Sequence, residues 1–526
     1  MRRWPWLDIL WLATLGIAWY RLQGQIPYAL DLSASDEAYY LDLGRRWLTG
    51  VPDTDPAWSP WYVRWYGLLL RALSDPVRVH DVNIGMQALG LVGLTYGLWR
   101  RARVRPTPAG VVSLFLLSTW MLWRVEPRVM HFAWLGVLAM AFWMYPWPAT
   151  VRAWSWAMAS IVLMWARPEF GLLVPLFVLW GLQQRRRGMQ SPWPLSARVG
   201  LGILALVAVW GLVHWGMPWQ SGRGLHALVQ HYRRNASRCP ELGVSPQDSD
   251  ARVRERLFGD ATRLFEAVLA NPTALARQVA CNARFLPRDA LRALVLHAAW
   301  WSGGTPRQAG LVLLASLPIL IGGGVLWRWR YEGWRPRFSL HRLDILLWAL
   351  PPLYDLLLIS SERNHYLMAL GWWFWWMVGT ALLPRRGVRC PGCALALAGL
   401  GLALLPPLER LSAPGQPILA RRELVNTLYR AGLRHVEHPV TTLVAGHPSE
   451  WLERFLGSQY IRETDWRQAY PPPQPWTWDV IVLRDRVWLT WQRAIITLPD
   501  NYCLRPLTTQ VILFARTGPL SPACRQ

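Results

Sequence analysis

The stretch Ser33-Ala34-Ser35-Asp36-Glu37-Ala38-Tyr39-Tyr40 places two adjacent acids in the first polar segment of the chain. It follows an apolar run from Trp4 to Tyr20 that ends at Arg21. An apolar run of this length is typical of a membrane-spanning helix. We therefore expect the acid pair to lie close to a membrane surface, on the side opposite the N-terminus.

The composition favours a membrane protein with several spans. The chain has 526 residues, of which 53% are hydrophobic and 17% charged, and its mean hydropathy is +0.13. An ordinary soluble enzyme is less apolar and more charged. The net charge of +24 would suit nucleic acid, but the basic clusters lie between apolar segments and no nucleic-acid-binding motif accompanies them. The sequence therefore predicts a lipid bilayer, and no nucleic acid, as a partner.

About eleven apolar segments approach the length of roughly 17 to 25 residues that a spanning helix needs. We predict a polytopic α-helical protein in which residues 1–408 form the transmembrane catalytic domain. Arg167-Pro168-Glu169 interrupts one long apolar stretch, and a single helix there would reverse the orientation of every later segment. The predicted spans are 5–22, 80–99, 106–123, 129–146, 153–166, 168–183, 198–217, 308–327, 341–360, 366–383 and 392–408.

The arginine clusters set the predicted orientation, because short cytoplasmic loops retain an excess of basic residues. A cytoplasmic N-terminus places the clusters at 100–105, 185–187, 328–337 and 385–386 on one face of the membrane. The acid segment, residues 24–79, is then the first external loop. The composition and orientation together predict a multi-pass protein of a bacterial inner membrane.

Two further polar regions are predicted on the external face. Residues 218–306 contain apolar positions at helical spacing, as in Ala261 to Leu269, and are expected to form external helices. The composition shifts after Pro406-Pro407, and residues 409–526 are expected to form a small extracytoplasmic α/β domain. Its predicted strands lie at 441–445, 479–483 and 510–515.

The cysteines divide by predicted side. Cys239 and Cys281 lie in the external helical loop, and Cys503 and Cys524 lie in the tail. An oxidising compartment permits a disulfide within each pair, although the sequence does not fix the pairing. The cytoplasmic Cys390-Pro391-Gly392-Cys393 lacks the second pair of ligands that a structural zinc site needs.

The acid pair is the first candidate for chemistry. A carboxylate within hydrogen-bond reach of an acceptor hydroxyl can act as its general base, and Asp36 is the first choice for that role. Glu37 beside it would repel a second negative charge, so that one of the two acids holds its proton. The simpler interpretation is a helix start, with Ser33 or Ser35 as the N-cap. The two interpretations are compatible.

Other charged residues recur on the same predicted face. Glu126 lies in the second external turn, and Arg167 lies at the helix break, where it is expected either to pair with Glu169 or to bind a phosphate bidentately. Arg363, His365 and Tyr366 lie in the last external turn. A polar turn with an interfacial tyrosine is the alternative interpretation of that last group.

The order of these features resembles the GT-C superfamily of membrane glycosyltransferases that use polyprenyl-phosphate sugars. The matching features are Asp36-Glu37, the arginines at 100–105, Glu126-Pro127, Arg167-Pro168-Glu169 and Arg363 with Tyr366. The Lys-Pro-Pro of aminoarabinose transferases is absent, and Ser59-Pro60-Trp61 stands in its place. The fuller motifs of eukaryotic protein O-mannosyltransferases are absent too, so the substrate stays open.

The resemblance implies transfer of one sugar from a polyprenyl-phosphate donor to a hydroxyl of a protein, lipid or polysaccharide, with inversion at the anomeric carbon. Asp36 would be the base, with Glu37 and Glu126 as secondary acids, and a divalent ion could be held by Asp36 and Glu126. Arg167, Arg363, His365 and Tyr366 would bind the donor phosphate. The rival interpretation is a flippase or transporter of lipid-linked sugars without covalent chemistry.

Overall fold

The structure is a computed structural model, and it is mostly α-helical. It describes residues 5–24, 36–51, 58–122, 129–187, 192–302, 347–361, 366, 367, 369–373, 391–403, 425, 440–444, 461–465, 480–484, 502–508 and 511–516.

Fifteen helices, numbered here in chain order among the described residues, form most of the structure. They are α1 Pro5–Gln23, α2 Glu37–Leu48, α3 Pro60–Leu73, α4 Pro76–Arg101, α5 Pro106–Leu122, α6 Val129–Met144, α7 Ala149–Leu163, α8 Leu173–Arg186, α9 Leu195–Trp215, α10 Arg223–Asn235, α11 Asp250–Phe258, α12 Leu264–Ala270, α13 Pro272–Ser302, α14 Leu350–Leu358 and α15 Pro391–Ala403.

The long apolar stretch around Arg167 forms two helices. Helix α7 ends at Leu163, a 3-10 turn runs from Pro168 to Leu172, and α8 follows. Proline lacks the backbone N–H that a continuing helix needs and disfavours helical geometry in the residue before it, here Arg167. The predicted break is therefore confirmed.

Only one helix of the described part of the chain has both the length and the composition to cross a membrane. It begins at Leu195, and its mean hydropathy reaches 1.9. The apolar parts of three other helices are shorter: Pro106–Leu117 in α5, Val129–Met144 in α6 and Ala394–Ala403 in α15. The helices thus follow many of the predicted segments, while their number as membrane spans stays a prediction.

Helices α2 and α3 pack with their backbones close together. A side-chain carbon at Gly44 would lie 2.8 Å from the backbone nitrogen of Gly67, and one at Gly67 would collide with the Trp47 ring. Two glycines therefore allow a crossing that larger residues would block. This crossing brings Glu37, at the start of α2, against Tyr62 and Tyr66 of α3.

The region from α10 to α13 has an apolar core that also takes in Leu358 and Ile359 at the end of α14, and it has a covalent link. Cys239 and Cys281 form a disulfide with their Cα atoms 6.2 Å apart, which confirms that predicted pair. Polar side chains of α13 attach the region to the end of α14: Gln278 Nε2 donates to the Ile359 carbonyl at 3.0 Å, and Asn282 Nδ2 donates to the Leu357 carbonyl at 2.7 Å.

A five-stranded sheet lies in the tail. Its strands are β1 Val440–Val444, β2 Ile461–Asp465, β3 Val480–Arg484, β4 Tyr502–Thr508 and β5 Val511–Arg516. The order is β2-β1-β3-β5-β4, with parallel pairing of β1 to β2 and β3 and antiparallel pairing of β5 to β3 and β4. Three of these strands coincide with the three predicted from sequence.

Candidate active site

Asp36 lies at the start of α2 and is accessible. Its backbone has helical geometry, and its side chain makes no capping hydrogen bond to the helix. The side chain is 52% exposed, and its Oδ2 accepts a hydrogen bond at 3.3 Å from Nη2 of Arg223, the first residue of α10. The carboxylate therefore faces α10 and solvent, where it can meet a ligand.

Arg223 is held by two aromatic side chains as well as by Asp36. Its guanidinium carbon lies 3.3 Å from the centre of the Trp58 ring, which is a cation–π contact. Its Nη1 donates to the Tyr40 hydroxyl at 3.3 Å. Arg223 thus joins α10 to the residues that precede and begin α2 and to Trp58 before α3.

Glu37 has a different environment from its neighbour. Its side chain points into the α2–α3 contact, where the residue is only 1% exposed. The Oε2 atom accepts hydrogen bonds from the Tyr62 hydroxyl at 2.8 Å and the Tyr66 hydroxyl at 2.5 Å. These contacts fix Glu37 within the α2–α3 packing, away from solvent. Its predicted part as a secondary acid is untested.

A polar network continues from Glu37 into α4. Asn83 Nδ2 and Gln87 Nε2 donate to the Tyr62 hydroxyl at 2.8 and 3.3 Å. Burial, followed by the negative charge of Glu37, raises the pKa of Tyr62 and of Tyr66 well above the ordinary tyrosine value. Both phenols therefore stay protonated and keep donating to the carboxylate, which fixes the start of α2.

Arg167 lies at the centre of a second, buried charged cluster. Its Nη2 is 2.5 Å from Glu169 Oε1, 2.9 Å from Asp355 Oδ2 and 2.8 Å from the Tyr366 hydroxyl. The Arg167 side chain is 15% exposed and both carboxylates are 5% exposed. The expected pairing of Arg167 with Glu169 is confirmed. The cluster ties the 3-10 turn to α14 and to the helical residue 366.

Tyr40 lies between the two charged clusters. Burial is the main cause that raises its pKa, and the charges of Arg223, Asp36 and Arg167 all act on its hydroxyl. Its ring also packs edge-on against Tyr62, with the centroids 5.0 Å apart. Tyr40 therefore contacts the Asp36–Arg223 pair and also lies within the electrostatic reach of Arg167.

Several predicted site residues lie outside the described part of the chain. They are Glu126, Arg363 and His365, and Ser33 and Ser35 of the proposed cap. Tyr366 is described and contacts Arg167 as above, which joins two of the residues predicted to bind phosphate. Within the described ranges, no group of three or more His, Cys, Asp or Glu side chains is arranged to hold a metal ion. The predicted metal pair of Asp36 and Glu126 is untested.

Two site residues escaped the sequence-based prediction. Arg223 is one of many arginines in residues 218–306, and no local pattern distinguishes it. Asp355 carried a signal: it is one of two carboxylates, with Asp344, in the predicted span 341–360, and an ionisable group in apolar surroundings generally has a partner or a function. Its partner, Arg167, lies 188 residues earlier in the chain.

Comparisons of the chain with protein-family models, with curated proteins and with solved structures found no match. The functional assignment therefore rests on the sequence motifs and on the geometry of the site.

Proposed function

We propose that this chain is a membrane glycosyltransferase that moves one sugar from a polyprenyl-phosphate donor to an acceptor hydroxyl at the external membrane face. The observation that carries the proposal is the accessible Asp36 carboxylate, placed 3.3 Å from the Arg223 guanidinium at one site. A base for the acceptor and a cation for the leaving phosphate are the two groups that such a transfer needs from the protein.

In the proposed reaction, Asp36 takes the proton of the acceptor hydroxyl as its oxygen attacks the anomeric carbon. The bond from that carbon to the phosphate oxygen breaks, and polyprenyl phosphate leaves with the bonding electrons. A single displacement inverts the anomeric centre and needs no covalent intermediate on the enzyme. Glu37 would position the start of α2 beneath Asp36 through its two tyrosine contacts. Arg167, Tyr366, Arg363 and His365 remain proposed ligands of the phosphate.

The surface of α9 supports the membrane placement. Six apolar side chains of this helix are more than half exposed, a ridge that would be costly in water. Lipid contact removes that cost. The six are Leu195, Val199, Ile203, Leu206, Val209 and Val213.

Aromatic residues at the end of α9 support a membrane surface close to the site. The Trp61 ring packs edge-on against Trp215, with the centroids 5.0 Å apart, and the Arg64 guanidinium carbon lies 4.3 Å from the Trp215 ring centre. Tryptophan and arginine are frequent where a helix leaves the apolar layer. Arg223 follows Trp215 closely in sequence, so Asp36 would meet a lipid-linked donor at this level.

The finer topology belongs to the same proposal. We place about eleven spans across a bacterial inner membrane, with the N-terminus cytoplasmic and residues 409–526 forming an extracytoplasmic α/β domain. The Cys239–Cys281 disulfide favours an oxidising compartment for the external helices. The parallel pairing of β1 with β2 and β3 favours an α/β tail, because parallel strands need crossover connections.

The experiment that tests the proposal measures transfer of labelled sugar from a panel of polyprenyl-phosphate donors to membrane acceptors, with wild type and Asp36→Asn. Asparagine keeps the size of the side chain and removes the base. We expect the variant to lose about 100-fold or more of the rate. Asp248→Asn is a control, since this acid lies in the loop before α11, where it accepts from the Ser245 backbone N–H and pairs with Arg252. Equal rates for wild type and Asp36→Asn would remove Asp36 from the base role.

A lipid-linked sugar flippase is the second candidate, favoured by the buried Arg167 cluster between helices. Charged groups in such positions often line the path of a polar substrate. A flippase needs Arg167 and Asp355 and is indifferent to the base at Asp36. Movement of a labelled lipid-linked sugar across vesicles, unchanged in Asp36→Asn and without product formation, would favour it over the transferase.

A further inference from the structure

The two arginines of the site differ in how readily they can exchange partners. Arg167 contacts two carboxylates and a phenol within 2.9 Å, and the carboxylates are almost fully buried. Removing one partner of a buried ion pair strongly destabilises a protein. An incoming anion would have to displace such a partner, so Arg167 gives up a partner less readily than Arg223 does.

Arg223 and Asp36 form a looser pair. Their nearest atoms are 3.3 Å apart, and the side chains are 23% and 52% exposed. An ion pair at this distance and exposure contributes little, because water competes for both partners. A phosphate group, with more acceptor oxygens and bidentate geometry toward guanidinium, is a stronger partner than this carboxylate.

Trp58 and Tyr40 allow Arg223 to change its partner without losing its place. The indole ring lies against the face of the guanidinium, and the Tyr40 hydroxyl accepts from Nη1. Nη2, the atom that bonds to Asp36, is a different nitrogen. The aromatic contacts can therefore persist while Nη2 turns from a carboxylate oxygen to a phosphate oxygen.

We propose that Arg223 binds the phosphate of the donor and thereby releases Asp36. In the structure, Arg223 pairs with the carboxylate of Asp36. When the donor phosphate binds the Arg223 guanidinium, Asp36 loses its ion-pair partner and can accept the proton of an acceptor hydroxyl. The base is therefore available only when a donor is bound. This inference rests on the proposed transferase function and adds an exchange step to it.

The test measures equilibrium binding of farnesyl phosphate and of farnesol, which lacks the phosphate, to the purified full chain in detergent. Wild type should prefer the phosphate. Arg223→Gln should lose about tenfold or more of that preference. Asp36→Asn should bind farnesyl phosphate several-fold more tightly, because the competing carboxylate is gone. The two substitutions therefore act in opposite directions, which general damage to the fold would not produce.

Arg233→Gln is the matched control. Arg233 lies on the same helix, and its ion pair with Asp250 has side chains that are each 28% exposed. We expect this variant to bind both lipids as wild type does. Equal losses in Arg223→Gln and Arg233→Gln, or weaker phosphate binding in Asp36→Asn, would overturn the exchange. Thermal unfolding of each variant checks that the fold is intact.

Failure of the exchange can be distinguished from failure of the transferase. Sugar transfer that depends on Asp36, with phosphate binding that is insensitive to Arg223, would overturn the exchange and leave the transferase in place. Phosphate binding with the expected opposite effects but without transfer from any donor would overturn the transferase, while Arg223 would still be assigned as a phosphate-binding residue.

Discussion

Replacing Glu37 by glutamine should destabilise the protein by removing a charge from a buried network. The Oε2 atom accepts from two tyrosine hydroxyls, and Tyr62 in turn accepts from Asn83 and Gln87. Because the Tyr62 oxygen accepts from these two amides, its hydroxyl hydrogen is the one it donates to Glu37. Glutamine retains one oxygen acceptor and the size of the side chain, so the change mainly converts charge-assisted hydrogen bonds into neutral ones.

The expected magnitude follows from those two bonds. A hydrogen bond to a charged group contributes about 1.5–3 kcal/mol, and a neutral one contributes about 0.5–1.5 kcal/mol. Each conversion thus costs about 1–1.5 kcal/mol, and the pair costs about 2–3 kcal/mol of the free energy of unfolding. We expect a loss of stability near the upper end of this range, because Glu37 is buried and the polar groups around it cannot form replacement hydrogen bonds with water.

The assay is chemical unfolding of the purified full chain in mixed micelles, followed by near-ultraviolet circular dichroism of the tryptophans. Asp36→Asn is the internal control, because that neighbouring acid is half exposed and should change stability by less than about 1 kcal/mol. A double-mutant cycle with Tyr66→Phe should show coupling between the two positions. Equal stabilities for Glu37→Gln and Asp36→Asn would refute the structural role of Glu37.

Three further predictions concern stability. Tyr66 keeps its proton in the folded state above the ordinary tyrosine pKa, so wild type should lose stability as pH rises beyond about 10, where the unfolded phenol ionises. Between pH 8 and 11, Tyr66→Phe should lose about 1.4 kcal/mol less of its free energy of unfolding than wild type does, nearly all of it above pH 9. Asp355→Asn should lower the free energy of unfolding by about 2–3 kcal/mol, which is less than the loss from breaking a lone buried ion pair, because Glu169 still contacts Arg167. A loss no larger than that from replacing an exposed acid would contradict a stabilising role for the cluster. Replacing both Cys239 and Cys281 by serine should cost about 4 kcal/mol for cysteines 42 residues apart, and reductant should destabilise only wild type.

Local features of the sequence predicted much of the helical structure. Apolar runs between arginine clusters mark the helices, and Pro168 marks the break after α7, because a proline acts on its own backbone and on the residue before it. The strands β1, β3 and β5 and the cysteine pair 239 and 281 were also visible in advance. These features depend on neighbours in sequence, which is why they could be predicted.

The sequence alone also determined that the acid pair lies in the first polar segment, but it did not separate the roles of its two members. The tertiary structure decided that Asp36 faces solvent and that Glu37 is buried, through the close crossing of α2 and α3. The tertiary structure also decided which charged residues pair with each other. Arg223 pairs with Asp36, 187 residues away in sequence, and Arg167 pairs with Asp355, 188 residues away. Contacts over such separations follow from how helices pack against one another, and no local pattern of residues encodes them.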